Sequence, residues 1–293
     1  MILKLATRPS KLAVAQSNLV AKALEERHVG LNVELVIITS QGDKDQQTPI
    51  SEFGGTGAFV KELELALING DADFAVHSLK DVPSVQPNGL VLCAFPKRED
   101  PRDIFISKNW ISWKDMPLGS TIGTSSMCRL AQLKALRPDF IFKEIRGNID
   151  TRIAKCYNGD YDAIILAAAG LNRLNIPFPQ SAIFRPEEMI PSPGQGALAI
   201  QVHEDNKLVM ELLKTLNDPK TALAVKHERN FMTLLDGGCR EPLAALVSLA
   251  GNNAQVLLMS GKSSDFPFKT SKISCNQSEL EALITNDVKN KYL

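Results

Sequence analysis

DFAVHSLKDVP, Asp73 to Pro83, decides the fold class. Phe74–Val76 is a short apolar run that reads as a buried strand, and it ends in His77-Ser78-Leu79-Lys80-Asp81 before Pro83 stops it. In open α/β sheets ligands sit at the carboxyl ends of strands, where loops leave polar groups in a crevice. A carboxylate beside a cation at such a place can stabilise a positive intermediate or handle a proton. The plainer alternative is a surface ion pair that closes a turn.

The segments on either side repeat the pattern. Leu3–Ala6 reads as a strand, Leu12–Glu26 as an amphipathic helix, Val33–Thr39 as a strand and Phe59–Asn69 as a helix. The alternation resumes with Thr121–Gly123 (strand), Ser126–Leu136 (helix), Ile141–Ile145 (strand), Thr151–Asn158 (helix) and Ala163–Ala167 (strand). Strand–helix alternation of this kind specifies parallel βαβ units. KREDPRD, Lys97 to Asp103, is charged and holds a proline, so it reads as a linker between two such units. IPSPGQG, Ile190 to Gly196, leads into a strand-like Ala197–Val202, and Thr221–Leu235 reads as a long helix stopped by Gly237-Gly238. The last part, with strand-like Leu243–Leu249 and Val256–Ser260 and a helical Gln277–Val288, reads as a small α+β unit.

Composition narrows the function. With 33 basic and 33 acidic residues the formal net charge is zero, so bulk charge gives no support to a nucleic-acid or anionic-membrane surface. No run approaches a membrane span, and MILKLATRPSK is too short in apolar residues for a signal peptide, so the expected location is cytoplasmic. The five cysteines are irregularly spaced and the four histidines share no ligand spacing, so neither a disulfide framework nor a metal site is expected. GQGALA, Gly194 to Ala199, follows IPSP rather than a strand and fails the dinucleotide context. GGTGAF, Gly54 to Phe59, lacks a following Lys-Ser/Thr and reads as a loop before a helix.

What remains is a set of basic and hydroxyl residues at element ends. In TIGTSSMCRLAQL, Thr121 to Leu133, the hydroxyls can cap a helix whose N–H groups form an anion site. Arg129 sits in the first turn of that helix, against the dipole, and an anionic ligand would offset the cost. Arg8 in ATRPS, Arg146 in EIRGN, Arg152 in DTRIA and Arg173 in AAAGLNRL also flank strand or helix ends. Guanidinium forks grip carboxylates in bidentate geometry, so the set suits a ligand with several carboxylates.

Taken in order, these stretches resemble the porphobilinogen deaminase (hydroxymethylbilane synthase) family. The residues that carry the resemblance are ATRPSKLA near the start, GAFVKELE at Gly57–Glu64, HSLKDVP at His77–Pro83 and GTSS at Gly123–Ser126. They continue with RGNIDTR at Arg146–Arg152, AAAGLNRL at Ala167–Leu174, PGQGA at Pro193–Ala197 and GGC at Gly237–Cys239, and the last 40 or so residues match more loosely.

The resemblance implies a transferase of tetrapyrrole biosynthesis, heme biosynthesis included, that condenses four porphobilinogen molecules head to tail with release of ammonia. It implies a covalent dipyrromethane cofactor on Cys239 and Asp81 as the catalytic carboxylate. It further implies Lys80, Ser126, Arg129 and Arg146, with Asp81, against the cofactor, and Arg8, Ser10, Lys61, Arg152, Arg173 and Gln195 toward substrate. Two doubly wound α/β domains like those of type II periplasmic binding proteins are implied, with the site between them and a small α+β third domain. The expected division is residues 1–96 with 197–215, then 102–190, then 219–293, in a monomer.

Two departures from the family's pattern stand out. Cys128-Arg129 replaces two consecutive arginines, and Thr56 stands where a lysine is usual. A charged hydrogen bond lost from a desolvated site weakens it by about 1.5–3 kcal/mol. The alternative function is a non-catalytic or degenerate two-domain protein that binds pyrroles or carboxylates.

Overall fold

The structure, a computed structural model, describes residues 1–40, 43, 59–235, 242–261 and 268–292. In chain order it begins β1 (Ile2–Thr7), α1 (Lys11–Arg27), β2 (Asn32–Ile37), α2 (Lys61–Ile68), β3 (Phe74–Ser78) and β4 (Leu90–Ala94). Next come β5 (Asp103–Ser107), β6 (Thr121–Gly123), α3 (Met127–Leu136), β7 (Ile141–Lys143), α4 (Ile149–Tyr157), β8 (Ala163–Ala167) and α5 (Ala168–Arg173). The chain closes with β9 (Leu198–His203), α6 (Lys207–Lys214), α7 (Pro219–Leu234), β10 (Leu243–Ala250), β11 (Asn253–Ser260), β12 (Lys269–Asn276) and α8 (Leu280–Asp287).

Met1–Glu99 and Ala197–Leu223 form one compact unit. Its sheet has the order β2-β1-β3-β9-β4, with β1 parallel to β2 and β3, and β9 antiparallel to β3 and β4. Parallel neighbours need crossover connections, and α1 and α2 supply them. Alternation along β3 then sorts its side chains to two faces. Phe74 and Val76 join Leu5, Leu24, Ile200 and Leu213 in the core under α1 and α6. Ala75 joins Ala6, Leu63 and Leu67 under α2. Phe74 is fully buried, which contributes about 2–3 kcal/mol relative to leaving it in water.

His77 points to the α2 face and is buried, with Nε2 3.0 Å from Gln201 Oε1. Gln201 in turn donates to Glu64 (3.0 Å) and Gln86 (2.8 Å). Burial pushes the imidazole pKa down from 6.5 to about 4, although the Gln201 bond works the other way. The folded value lies below the unfolded one, so this stability is full above pH 6.5 and is lost as pH falls toward 4. The loss is about 3 kcal/mol between those limits. Urea midpoints at pH 7 and pH 4.5 should therefore fall further for the wild type than for His77→Gln. Equal falls in the two proteins would refute the assignment.

Asp100–Gly196 and Ala224–Leu293 form the second unit, which holds two sheets. The first has the order β5-β8-β6-β7, β5 antiparallel to β8 and the remaining pairs parallel. It is again covered on both faces: Ile104, Ile106, Ile164 and Leu171 pack with α4 and α5, while Phe105, Ile122, Leu133 and Ile165 pack with α3. The second is the antiparallel meander β10-β11-β12. One of its faces packs on α7 and α8 through Phe231, Val247, Leu258 and Ile284, and the other carries Ala244, Leu246, Leu257 and Met259. The fold is α/β, two doubly wound sheets plus a small α+β segment. Among the described residues no helix is long and apolar enough to cross a membrane.

The sequence pattern and the elements differ in a few places. Asp103, read as the end of a linker, opens β5 instead and is buried. β4, α5, α6 and β12 have no counterpart in the pattern read above, and the C-terminal helix starts as a short 3-10 turn, Gln277–Glu279, under an Asn276–Glu279 capping box. The glycines expected to stop α7, the loop Gly54–Ala58 and Thr56 within it lie outside the described residues.

Candidate active site

In the first unit, β1 and β3 are adjacent and parallel, so their carboxyl ends reach one edge of the sheet. Past β3 the chain makes a 3-10 turn, Leu79–Asp81. Leu79 is fully buried and its N–H donates to Ala197 O (3.0 Å), which leaves Lys80 and Asp81 half-buried on the outer side of the turn. Past β1 come Arg8 and Ser10, the latter capping α1 by accepting from Ala13 N (3.3 Å). Arg8, Gln16, Phe59, His77, Ser78 and Asp81 line one cleft, and Gln16 Nε2 donates to Ser78 Oγ (2.9 Å) within it. Lys61 is the first residue of α2, exposed and not part of that lining.

Arg8 has a partner inside the chain. Its Nε and Nη2 donate to the two carboxylate oxygens of Asp43, and its guanidinium lies 4.1 Å from the Phe59 ring centre. Burial pushes the Asp43 carboxyl up, but bonds from Arg8 and Ser40 outweigh this and hold it below its ordinary value.

In the second unit, β6 runs through Thr124-Ser125-Ser126 into α3, and Ser126 Oγ accepts from Arg129 N (3.4 Å) as the cap. Ser125 Oγ donates to Ile145 O (2.6 Å) and accepts from Ile145 N (3.1 Å), tying the ends of β6 and β7 together. Arg129 turns inward. It donates to Asp103 Oδ1 (2.8 Å), Gln195 Oε1 (3.2 Å) and Ile165 O (3.1 Å), and Gln195 Nε2 donates to Asp103 (2.7 Å) and Pro101 O (2.7 Å). The charge that offsets an arginine in the first turn of α3 is thus supplied by Asp103.

Three further arginines belong to this unit, Arg146 between β7 and α4, Arg152 in the first turn of α4 and Arg173 at the last residue of α5. Arg146 follows β7, and its Nη1 is buried without a hydrogen-bond partner among the described residues. Arg152 donates from Nε to Gly147 O (2.7 Å), and Arg173 from Nη2 to Gly196 O (2.6 Å). Gly147 has φ +112°, and a Cβ there would lie 2.9 Å from Thr151 Cγ2, so only glycine makes this turn unstrained. Cys128 does not share the surroundings of these arginines. Its thiol donates to Leu243 O (2.8 Å) and packs with the β10–β11 face beside Ile190. Cys239 lies outside the described residues. Asp43, Asp103, Gln16 and Phe59 were not singled out from sequence. Among the described residues no group of three or more His, Cys, Asp and Glu could hold a metal ion.

The fold is that of an α/β protein with two doubly wound sheets, and each unit by itself carries basic and hydroxyl groups at strand and helix ends, the chemistry that suits carboxylates. The family model for porphobilinogen deaminase, dipyrromethane cofactor binding domain, matches residues 3–211, and the chain belongs to the porphobilinogen deaminase family. It is 44% identical over 252 residues to the porphobilinogen deaminase of Maridesulfovibrio salexigens, covering 86% of this chain and 82% of that one. Among solved structures it is similar to the methionine binding protein MetQ (14% identity, TM-score 0.45, 78% of this chain and 94% of that chain). A YaeC-family lipoprotein from Enterococcus faecalis V583 is similar to the same degree (15% identity, TM-score 0.44, 78% and 96%).

The residues present fit the family's dipyrromethane. Each pyrrole ring brings two carboxylates, and a buried guanidinium N–H such as Arg146 Nη1, left without an acceptor, is costly until an anion meets it.

Proposed function

We propose that this chain condenses four porphobilinogen molecules head to tail, releases ammonia at each step and frees the linear tetrapyrrole by hydrolysis. The observation that carries the reading is Asp81 on the turn after β3, in one cleft with Arg8, in a chain of this family. When bound through Cys239, the dipyrromethane supplies the pyrrole carbon to which the first substrate is joined.

The chain's own residues do the rest. As the substrate's ammonium leaves, positive charge spreads over its pyrrole, and the Asp81 carboxylate lies against that charge and accepts from the ring N–H. Lys80, Ser126 and Arg146 would hold cofactor carboxylates. Arg8, Ser10, Lys61, Arg152 and Arg173 would orient those of the substrate. Arg129 and Gln195 contribute through the cluster they form with Asp103. The reading includes three domains, residues 1–96 with 197–215, 102–190 and 219–293, in a monomer that acts in the cytoplasm. Equal numbers of acidic and basic residues, 33 each, support its working without nucleic-acid or membrane partners.

Intact mass tests this directly. The purified protein should weigh more than its sequence by two linked pyrrole units, and Cys239→Ala should not. Added porphobilinogen should then give a ladder of pyrrole increments on the wild type alone. A wild type with neither the excess nor the ladder would overturn the proposal.

A further inference from the structure

We propose that Asp43 is an internal competitor for Arg8, holding the guanidinium fork when no ligand does and yielding it when a substrate carboxylate arrives. The inference rests on the function proposed above and names how one contact of that site is regulated. Two nitrogens of Arg8 already face two carboxylate oxygens, Nε to Oδ2 at 3.1 Å and Nη2 to Oδ1 at 2.5 Å. This is the bidentate geometry by which an arginine grips a ligand carboxylate. The pair is largely withdrawn from solvent, with side-chain exposures of 22% and 12%. Arg8 lines the cleft that holds Asp81, with Phe59 against the guanidinium face.

Asp43 is built to survive displacement. Ser40 donates to its Oδ2 from both N (3.1 Å) and Oγ (2.6 Å), and Ser40 Oγ also accepts from Asp43 N (3.2 Å). When Arg8 turns to a ligand, the carboxylate keeps these two donors and is not left bare. The event is therefore an exchange of one carboxylate for another on the same fork. An exchange binds more weakly than capture by an unpaired arginine, because one charge-assisted pair must break for the other to form.

Four substrates pass through the reaction in turn, so a contact that exchanges readily has a use. Binding energy that holds substrate and transition state equally does not raise kcat, and a grip that is too firm would stall the growing chain. Asp43 acts through Arg8 and is thus a positioning residue.

The test measures binding and turnover together. The binding probe is porphobilinogen lacking its aminomethyl group, which keeps both carboxylates and cannot react. Asp43→Asn should bind it about five- to tenfold more tightly by calorimetry, with KM for porphobilinogen reduced similarly and kcat not raised. Asp43→Glu should restore the wild-type affinity, and in an Arg8→Gln background Asp43→Asn should no longer tighten binding. A residue that only orients Arg8 predicts the opposite sign. Unchanged or weakened binding in Asp43→Asn would overturn the proposal. If that variant does not fold, Asp43→Ser is read in the same way. A wild type that binds the probe but never elongates porphobilinogen would sink the proposed function and leave the binding comparison standing.

Discussion

Asp81→Asn is expected to lower kcat for porphobilinogen consumption by about 10²–10³-fold while cofactor mass and thermal stability stay at wild-type values. The substitution keeps shape and volume and removes one negative charge. The 3-10 turn that carries the side chain is held by buried Leu79 and its bond to Ala197 O, neither of which the change touches. Among the described residues that line the cleft, Asp81 is the one carboxylate. His77 lies there too, but burial keeps it neutral at working pH and its Nε2 is engaged with Gln201. Asp43 holds Arg8 and Ser40. Because the positive charge develops only as ammonia leaves, the loss should fall on kcat far more than on KM. Steady-state kinetics, intact mass and a melting curve on one preparation check this. A kcat within threefold of wild type would rule out Asp81 as the stabilising carboxylate.

The site residues that were legible in sequence share one physical reason. His77 to Asp81 stood out because an apolar run stops abruptly in polar residues, and strand ends place such residues at the sheet edge. Ser126 was legible as a hydroxyl directly before a helical pattern, where it proved to be the cap, while Ser10, named only through the resemblance, caps α1. What escaped depends on contacts distant in sequence. Asp103 sits in KREDPRD, where its neighbour Asp100 does pair locally with Arg102, and nothing in the charge density shows that the next carboxylate is buried. Asp43 acquires its role only when folding brings it beside Arg8, 35 residues earlier.

The elements tell the same story. KTSKISCN, Lys269–Asn276, is a sheet-edge strand with few apolar residues, so its pairing to β11 decides its conformation. AAGLNR, Ala168–Arg173, is small-residue helix buried under the sheet and carries little periodic signal. Cys128 shows the converse. The sequence marked it as a missing arginine, while its position places the thiol against β10, among apolar side chains where a small weak donor fits.

Asp103→Asn is expected to destabilise the protein by about 3–5 kcal/mol, the range for leaving one partner of a buried ion pair alone. Asp103 is 1% exposed and receives Arg129 Nη2 at 2.8 Å and Gln195 Nε2 at 2.7 Å on the same oxygen. An asparagine can offer one oxygen to these donors, but its NH2 brings a further donor and no charge. Arg129, whose Nε is buried without a hydrogen-bond partner among the described residues, then stays charged in the interior with only neutral acceptors among them. The internal control is Asp100→Asn, which breaks the partly exposed pair with Arg102 and should shift stability by about 1 kcal/mol or less. Adding Arg129→Met to Asp103→Asn should recover part of the loss, since it removes the stranded charge and fills the volume with apolar atoms. Urea unfolding of the four proteins decides the matter. If Asp103→Asn matches the control, Arg129 is solvated and available to a ligand carboxylate; if it falls by several kcal/mol and the double variant recovers, the charge of Arg129 is held by Asp103 and its part in the site is to anchor α3 and Gln195.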